Sequence, residues 1–186
     1  MVENKKLNIF YDRVYKKGER KHFTSFIAQG TNTCEVDEIL KELSWKNKKV
    51  LDVGCGTGLF AHSVAKAGTK NVLGIDFSLE AINLAKETHK HKNLNFEHKD
   101  VKNISEKFDV IVSVGTLEHM DDPLMTLKIL KKHLNPKGKI IITSPNWTNP
   151  RGYILMTLWH LFKAPITLAD LHYQTPIDFE NYAKKL

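Results

Sequence analysis

The chain has 186 residues, 41% hydrophobic and 26% charged, with a formal net charge of +7. That length suits one domain with a real hydrophobic core, and its two cysteines, Cys34 and Cys55, suggest neither a disulfide framework nor a zinc cluster. Only Arg13, Arg20 and Arg151 among the 28 basic residues are arginine, so the charge is scattered lysine and speaks against a nucleic-acid partner.

The opening stretch MVENKKLNIF lacks a long apolar region, and no apolar run nears the roughly 20 residues that a membrane helix needs. The expectation is a cytoplasmic protein in a reducing compartment. Residues 3 to 30 space Phe10, Tyr11, Tyr15, Phe23, Phe26 and Ile27 as helices lying on a main body. From Glu35 to Leu43, Val36, Ile39, Leu40 and Leu43 share one helical face, with Asn32 or Thr33 as cap.

The stretch VLDVGCGTGLF, Val50 to Phe60, then predicts a buried strand, a glycine turn and a helix over about 58–67. Gly54, Gly56 and Gly58 let backbone pass close beneath a ligand, and the helix start adds free N–H groups. The spacing is G-x-G-x-G with Asp52 beside it, not the G-x-G-x-x-G of a dinucleotide site. A carboxylate at the mouth of the turn would repel pyrophosphate and suit a cationic ligand.

Asn71 to Ile75 is a second buried strand ending in Asp76, 18 residues beyond Gly58, where an α/β nucleotide fold places the acid that holds ribose hydroxyls. Ser78 caps a helix over Leu79 to Thr88, and Leu94 to Glu97 is a third strand. His89, His91 and His98 lie among lysines and read as solvated, without metal. Phe108 to Val114 has the continuous apolar character of a strand covered on both faces. Asp122 and Pro123 open a helix through Leu134, and Lys139 to Thr143 is a fifth strand. Five strands alternating with helices predict a doubly wound parallel α/β sheet. The tail carries an apolar helix flanked by prolines, expected to pack on the core or line an acceptor pocket, with peripheral membrane contact through 151–163 as the other reading.

VLDVGCGTG, GIDFS, HKDV and FDVIVSVGTLEHM, over about residues 48 to 146, resemble the class I S-adenosylmethionine-dependent methyltransferases. LEHMDDP, SPN and DLHYQTPIDF are similar to the branch of ubiquinone-biosynthesis and small-molecule O-methyltransferases. The resemblance implies a Rossmann-like methyltransferase fold and one domain over 1–186: a helical cover at about 1–45, a core at about 46–146 and a helical tail at about 147–186. It implies two further strands at the sheet edge, which this sequence ends before, so the expectation is a truncated form, a portion of a longer protein, or a second copy closing that edge.

The cofactor implied is S-adenosyl-L-methionine, leaving as S-adenosyl-L-homocysteine. The residues implied to hold it are Asp52, Gly54, Cys55, Gly56, Gly58, Asp76, Phe77, Asp100 and Val101 beside the adenine, Val114, and Tyr11 and Tyr15 from the cover. Methylating an oxygen needs a base, and His119, just past the fourth strand, is the first candidate; His172 is the second, since similar enzymes have a histidine there. The quinone enzymes carry E-x-x-E-H in this turn, but Gly115 stands at the first acid, so no metal is expected. The rival readings are a silent cofactor-binding or adaptor protein, and a nicotinamide oxidoreductase.

Overall fold

The computed structural model describes residues 9, 12, 34–163 and 171–186. Tyr11, Tyr15 and the expected caps Asn32 and Thr33 lie outside the described residues, as does most of the expected cover.

Five segments pair as strands: the three central ones carry apolar residues on both faces of the sheet, whereas the edge strand at 94–98 alternates, with Phe96 buried between Asn95 and Glu97. The five are β1 (Lys49–Val53), β2 (Asn71–Asp76), β3 (Leu94–His98), β4 (Phe108–Val114) and β5 (Leu134–Thr143). The order is β3-β2-β1-β4-β5, all parallel, with Leu51 opposite both Leu73 and Ile111. The chain builds outward from β1 on one side, then returns to its other side as β4. That reversal puts a topological switch point at the carboxyl ends of β1 and β4.

Alternation along β1 sorts the core into two layers. Val50 packs with Val36, Phe60, Val64, Val72 and Phe96, whereas Leu51 and Val53 pack with Leu73, Ile75, Phe108 and Leu130. Helices α1 (Cys34–Lys41), α2 (Leu59–Lys66), α3 (Leu79–Thr88) and α4 (Pro123–Lys132) cover the sheet. Side chains fix two of their starts as expected: Ser78 Oγ accepts from the Ala81 N–H, and Asp122 Oδ1 from the Met125 N–H at 2.9 Å ahead of Pro123.

Two expectations are corrected. Helix α4 ends at Lys132, not Leu134, because Leu134 pairs with Phe108 and starts β5. Residues 135–138 then loop out before Lys139 meets Val110, with Lys137 at φ +65 and the Asn135 amide bonded to Asp109. Helix α5 (Pro150–Phe162) does not pack into the core: Tyr153, Ile154, Leu161 and Phe162 are 59–70% exposed. Its apolar residues run all round the helix, while contact is made at its first turn, where Gly152 lies against the Trp147 backbone. A last helix, α6 (Pro176–Lys185), starts with a reciprocal cap between Thr175 and Asp178. No helix among the described residues is long and apolar enough to cross a membrane.

Candidate functional site

The turn after β1 is built by glycine conformations that other residues adopt only under strain. Gly54 has φ +71 and Gly58 φ +84, and a Cβ at either would strike Thr116 or the Phe96 ring at 2.3 and 2.5 Å. The turn is tied to the end of β2, where the Ile75 carbonyl accepts from the N–H groups of Gly54 at 2.8 Å and Cys55 at 3.0 Å. Asp76 completes the join: Oδ2 accepts from the Gly56 N–H at 2.9 Å and Oδ1 from the Ser78 N–H at 2.8 Å.

These contacts open a cleft of about 550 Å³, counting the space open to solvent, at the carboxyl ends of β1, β2 and β3. Gly54, Asp76, Phe77, Asp100 and Val101 line it, and all five are residues the sequence pointed to. Val53, Ile75, Lys99 and Met120 complete the wall. All four lie inside the motifs that carry the resemblance, yet none was named there as a ligand residue. Asp100 also caps the short turn Val101–Asn103, its Oδ1 accepting from the Lys102 N–H at 2.8 Å.

Asp52 is not at the mouth of the turn, which corrects the sequence expectation. It is 1% exposed and shares the β1 face that carries Val50, under the first turn of α2. The Ala61 N–H bonds it, and Oδ2 has no partner among the described residues. Burial, and then the nearby Asp76 carboxylate, pushes its pKa up to about 8. Burial raises Asp76 too, opposed by the N–H groups of Ser78, Gly56 and Phe77. The Cys55 thiol is pushed well up by burial, with Asp52 and Asp76 adding to it. The result is a pair of carboxyl groups behind and beside the cleft, with Lys99 the basic side chain in its wall and paired with Glu97.

Val114 is half-buried at the end of β4, and His119 is half-buried in the turn Leu117–His119. Neither is in the cleft wall, nor are Cys55, Gly56, Gly58 and His172. His172 ties the tail down: its Nε2 meets the Met120 carbonyl at 2.9 Å, while the Leu171 and His172 N–H groups both donate to the Glu118 carbonyl. A carbonyl only accepts, so Nε2 is protonated and donates this bond. Glu118 is buried, 2% exposed. Among the described residues no group of three His, Cys, Asp or Glu side chains could hold a metal ion.

The histidines read as solvated are corrected in part. His89 is 8% exposed and stacks on His62 with ring centroids 4.5 Å apart. Burial, with His62 beside it, brings its pKa down to about 4. His98 is exposed, though its Nε2 bonds the Phe77 carbonyl at 2.8 Å and steadies the rim of the cleft.

A family model described as a methyltransferase domain matches residues 44–181. The chain belongs to that family, in keeping with the resemblance carried by its motifs. The ubiquinone biosynthesis O-methyltransferase of Actinobacillus pleuropneumoniae serotype 7 is 36% identical over 121 residues, covering 60% of this chain and 51% of that protein. The protein of that name from Neisseria meningitidis serogroup C is 28% identical over 169 residues, covering 79% and 71%. The chain thus spans about half the length of the first of these curated relatives. Among solved structures, magnesium protoporphyrin IX methyltransferase from Synechocystis PCC 6803 with bound SAH superposes with a TM-score of 0.75 at 16% identity, over 95% of this chain and 87% of that one. The five-stranded parallel sheet flanked by helices is the Rossmann-like fold of these methyltransferases.

Proposed function

We propose, from membership of the methyltransferase-domain family, that this chain binds S-adenosylmethionine in the cleft and transfers its methyl group to an oxygen of a small or lipid-like acceptor. The observation that carries the reading is the acidic site itself. Asp76 and Asp100 stand in the wall, and behind them Asp52 keeps a buried oxygen without a partner among the described residues. Such a site fits a cationic nucleoside and disfavours a phosphate-bearing coenzyme, because a carboxylate repels phosphate and attracts a sulfonium or ammonium.

Bound there, S-adenosylmethionine supplies an electrophilic methyl carbon on a sulfonium sulfur. The residues of this chain do the rest. The backbone of Gly54, Cys55, Gly56 and Gly58 allows close approach, with Asp52 beneath it, protonated near neutral pH in the free chain and drawn toward ionisation by a cationic ligand. Asp76 accepts hydrogen bonds from hydroxyls of the ligand with Phe77 beside it, and Asp100 and Val101 enclose the base and exclude water; Val114, at the end of β4 and outside the cleft wall, completes the proposed set. Tyr11 and Tyr15 belong to this reading as the cover. His119 removes the proton from the acceptor hydroxyl. His172 is the second candidate base, and with its Nε2 engaged by Met120 the atom open to the acceptor is Nδ1.

Two surfaces extend the reading. Helix α5 exposes its apolar side chains, has no acidic residue over 150–163 and ends in Lys163 near the Trp159 ring, which supports peripheral contact with an anionic membrane surface. Among the described residues β5 pairs on one side only, which supports closure of that edge by a second copy; a monomeric mass by light scattering counts against it. The test of the central proposal is calorimetry with S-adenosylhomocysteine and with NAD. Binding of the first and not the second supports it; the reverse result removes it.

A further inference from the structure

The carboxyl edge of the sheet has two halves. The cleft takes the ends of β1, β2 and β3, and the tail residues 171–175 lie across the ends of β4 and β5. There the Leu171 and His172 N–H groups bond Glu118, His172 bonds Met120 in the cleft wall, and Ser144 Oγ, one residue past β5, donates to Gln174 Oε1 at 3.3 Å. Trp147 meets Tyr173, the residue before Gln174, edge to face with ring centroids 4.9 Å apart.

Two donors in this patch are left over. Trp147 Nε1 and Gln174 Nε2 are buried, in residues 7% and 3% exposed, and neither has a partner among the described residues. A buried N–H without an acceptor has given up its hydration with nothing in exchange. Two of them one aromatic contact apart call for a common explanation. Gln174 has committed its oxygen to Ser144, so its nitrogen offers only donors, and an indole can only donate.

We infer that Trp147 and Gln174 form a subsite for an oxygen that only accepts hydrogen bonds. The inference rests on the proposed methyl transfer, because the β4 and β5 half of the edge is the side left for the methyl acceptor. The substrate class follows. It is an acceptor that carries, besides the atom to be methylated, a carboxylate or carbonyl oxygen. A compound lacking that oxygen leaves two buried donors unsatisfied, and this is a strong form of discrimination.

The experiment follows the Trp147 indole and Gln174 amide signals by proton–nitrogen NMR in the whole chain loaded with S-adenosylhomocysteine. Benzoate is the probe, and toluene is the control without oxygen. Trp147→Phe and Gln174→Met assign the signals and serve as variants. Benzoate is expected to shift both signals saturably and toluene neither. Either substitution should weaken benzoate about tenfold, as for one hydrogen bond to a charged oxygen, with S-adenosylhomocysteine affinity unchanged. Trp147→Phe should also leave the thermal midpoint of the free chain level or higher, since it deletes an unsatisfied donor. Unmoved signals, or undiminished benzoate affinity in both variants, overturn the inference. Failure of S-adenosylhomocysteine to bind overturns the proposed function instead, and the benzoate arm on the free chain then decides the subsite by the same criteria.

Discussion

Asp76 accepts the Gly56 N–H at 2.9 Å, so the acid at the end of β2 is bonded into the glycine turn that follows β1. Its other oxygen holds the Ser78 N–H, and the Ser78 hydroxyl donates to Asp12 at 2.7 Å. One carboxylate therefore joins two strand ends and a helix start, and through Ser78 reaches Asp12, while still facing the cleft.

Asp76→Ala is expected to weaken S-adenosylhomocysteine by about 1.5–3 kcal/mol, the range for hydrogen bonds to a charged group, which is roughly ten- to hundredfold in affinity. Titration calorimetry reads this directly. Unchanged affinity would take Asp76 out of the ligand's reach.

Gly58→Ala meets two penalties, a φ of +84 and a Cβ 2.5 Å from the Phe96 ring. Left-handed backbone costs an alanine about 1–2 kcal/mol and overpacking about 1–3. A loss of about 2–5 kcal/mol in urea unfolding is expected. Adding Phe96→Leu should recover the steric part and leave the backbone part.

Asp52 and His89 give stability opposite pH slopes. The folded pKa of Asp52, about 8, lies above its ordinary 3.8, so the folded chain binds the extra proton and stability falls as pH rises from about 4 to 8. For His89 the folded value near 4 lies below the ordinary 6.5, so the unfolded chain binds the proton and stability falls as pH drops from 6.5 toward 4. Asp52→Asn should therefore gain on the parent protein as pH climbs from 4 to 8, and His89→Gln as pH drops from 6.5 to 4. Denaturant titrations at pH 4, 6 and 8 check both; a gap between variant and parent that stays constant with pH refutes the assignment.

His119→Ala should leave S-adenosylhomocysteine affinity intact and slow turnover about 10²-fold or more, the usual contribution of a positioned base. Transfer of a labelled methyl group is the assay. Equal turnover would exclude His119 as the base.

Replacing Ile154, Leu161 and Phe162 together with serine should abolish sedimentation of the chain with vesicles rich in anionic lipid, without lowering its urea midpoint. These side chains are 61–70% exposed, so their removal costs little in the folded core. Parent protein that stays in the supernatant at low salt would end the membrane reading.

By itself the sequence determined the alternation of strand and helix, the glycine turn, and the acids at the ends of β2 and β3. Each of those follows from short-range chemistry: apolar periodicity, positive φ, and caps such as Ser78 and Asp122. Tertiary structure alone decided that Asp52 lies sealed under α2, that Lys99 and Met120 wall the cleft, and that His172 fastens the tail to the turn after β4. It also decided that His89 stacks on His62 and that α5 stands off the core. Those features depend on which distant segments meet. A carboxylate or an imidazole reads the same along the chain whether it ends in water or beneath a helix, and only the packing of other elements against it sets its exposure and its charge.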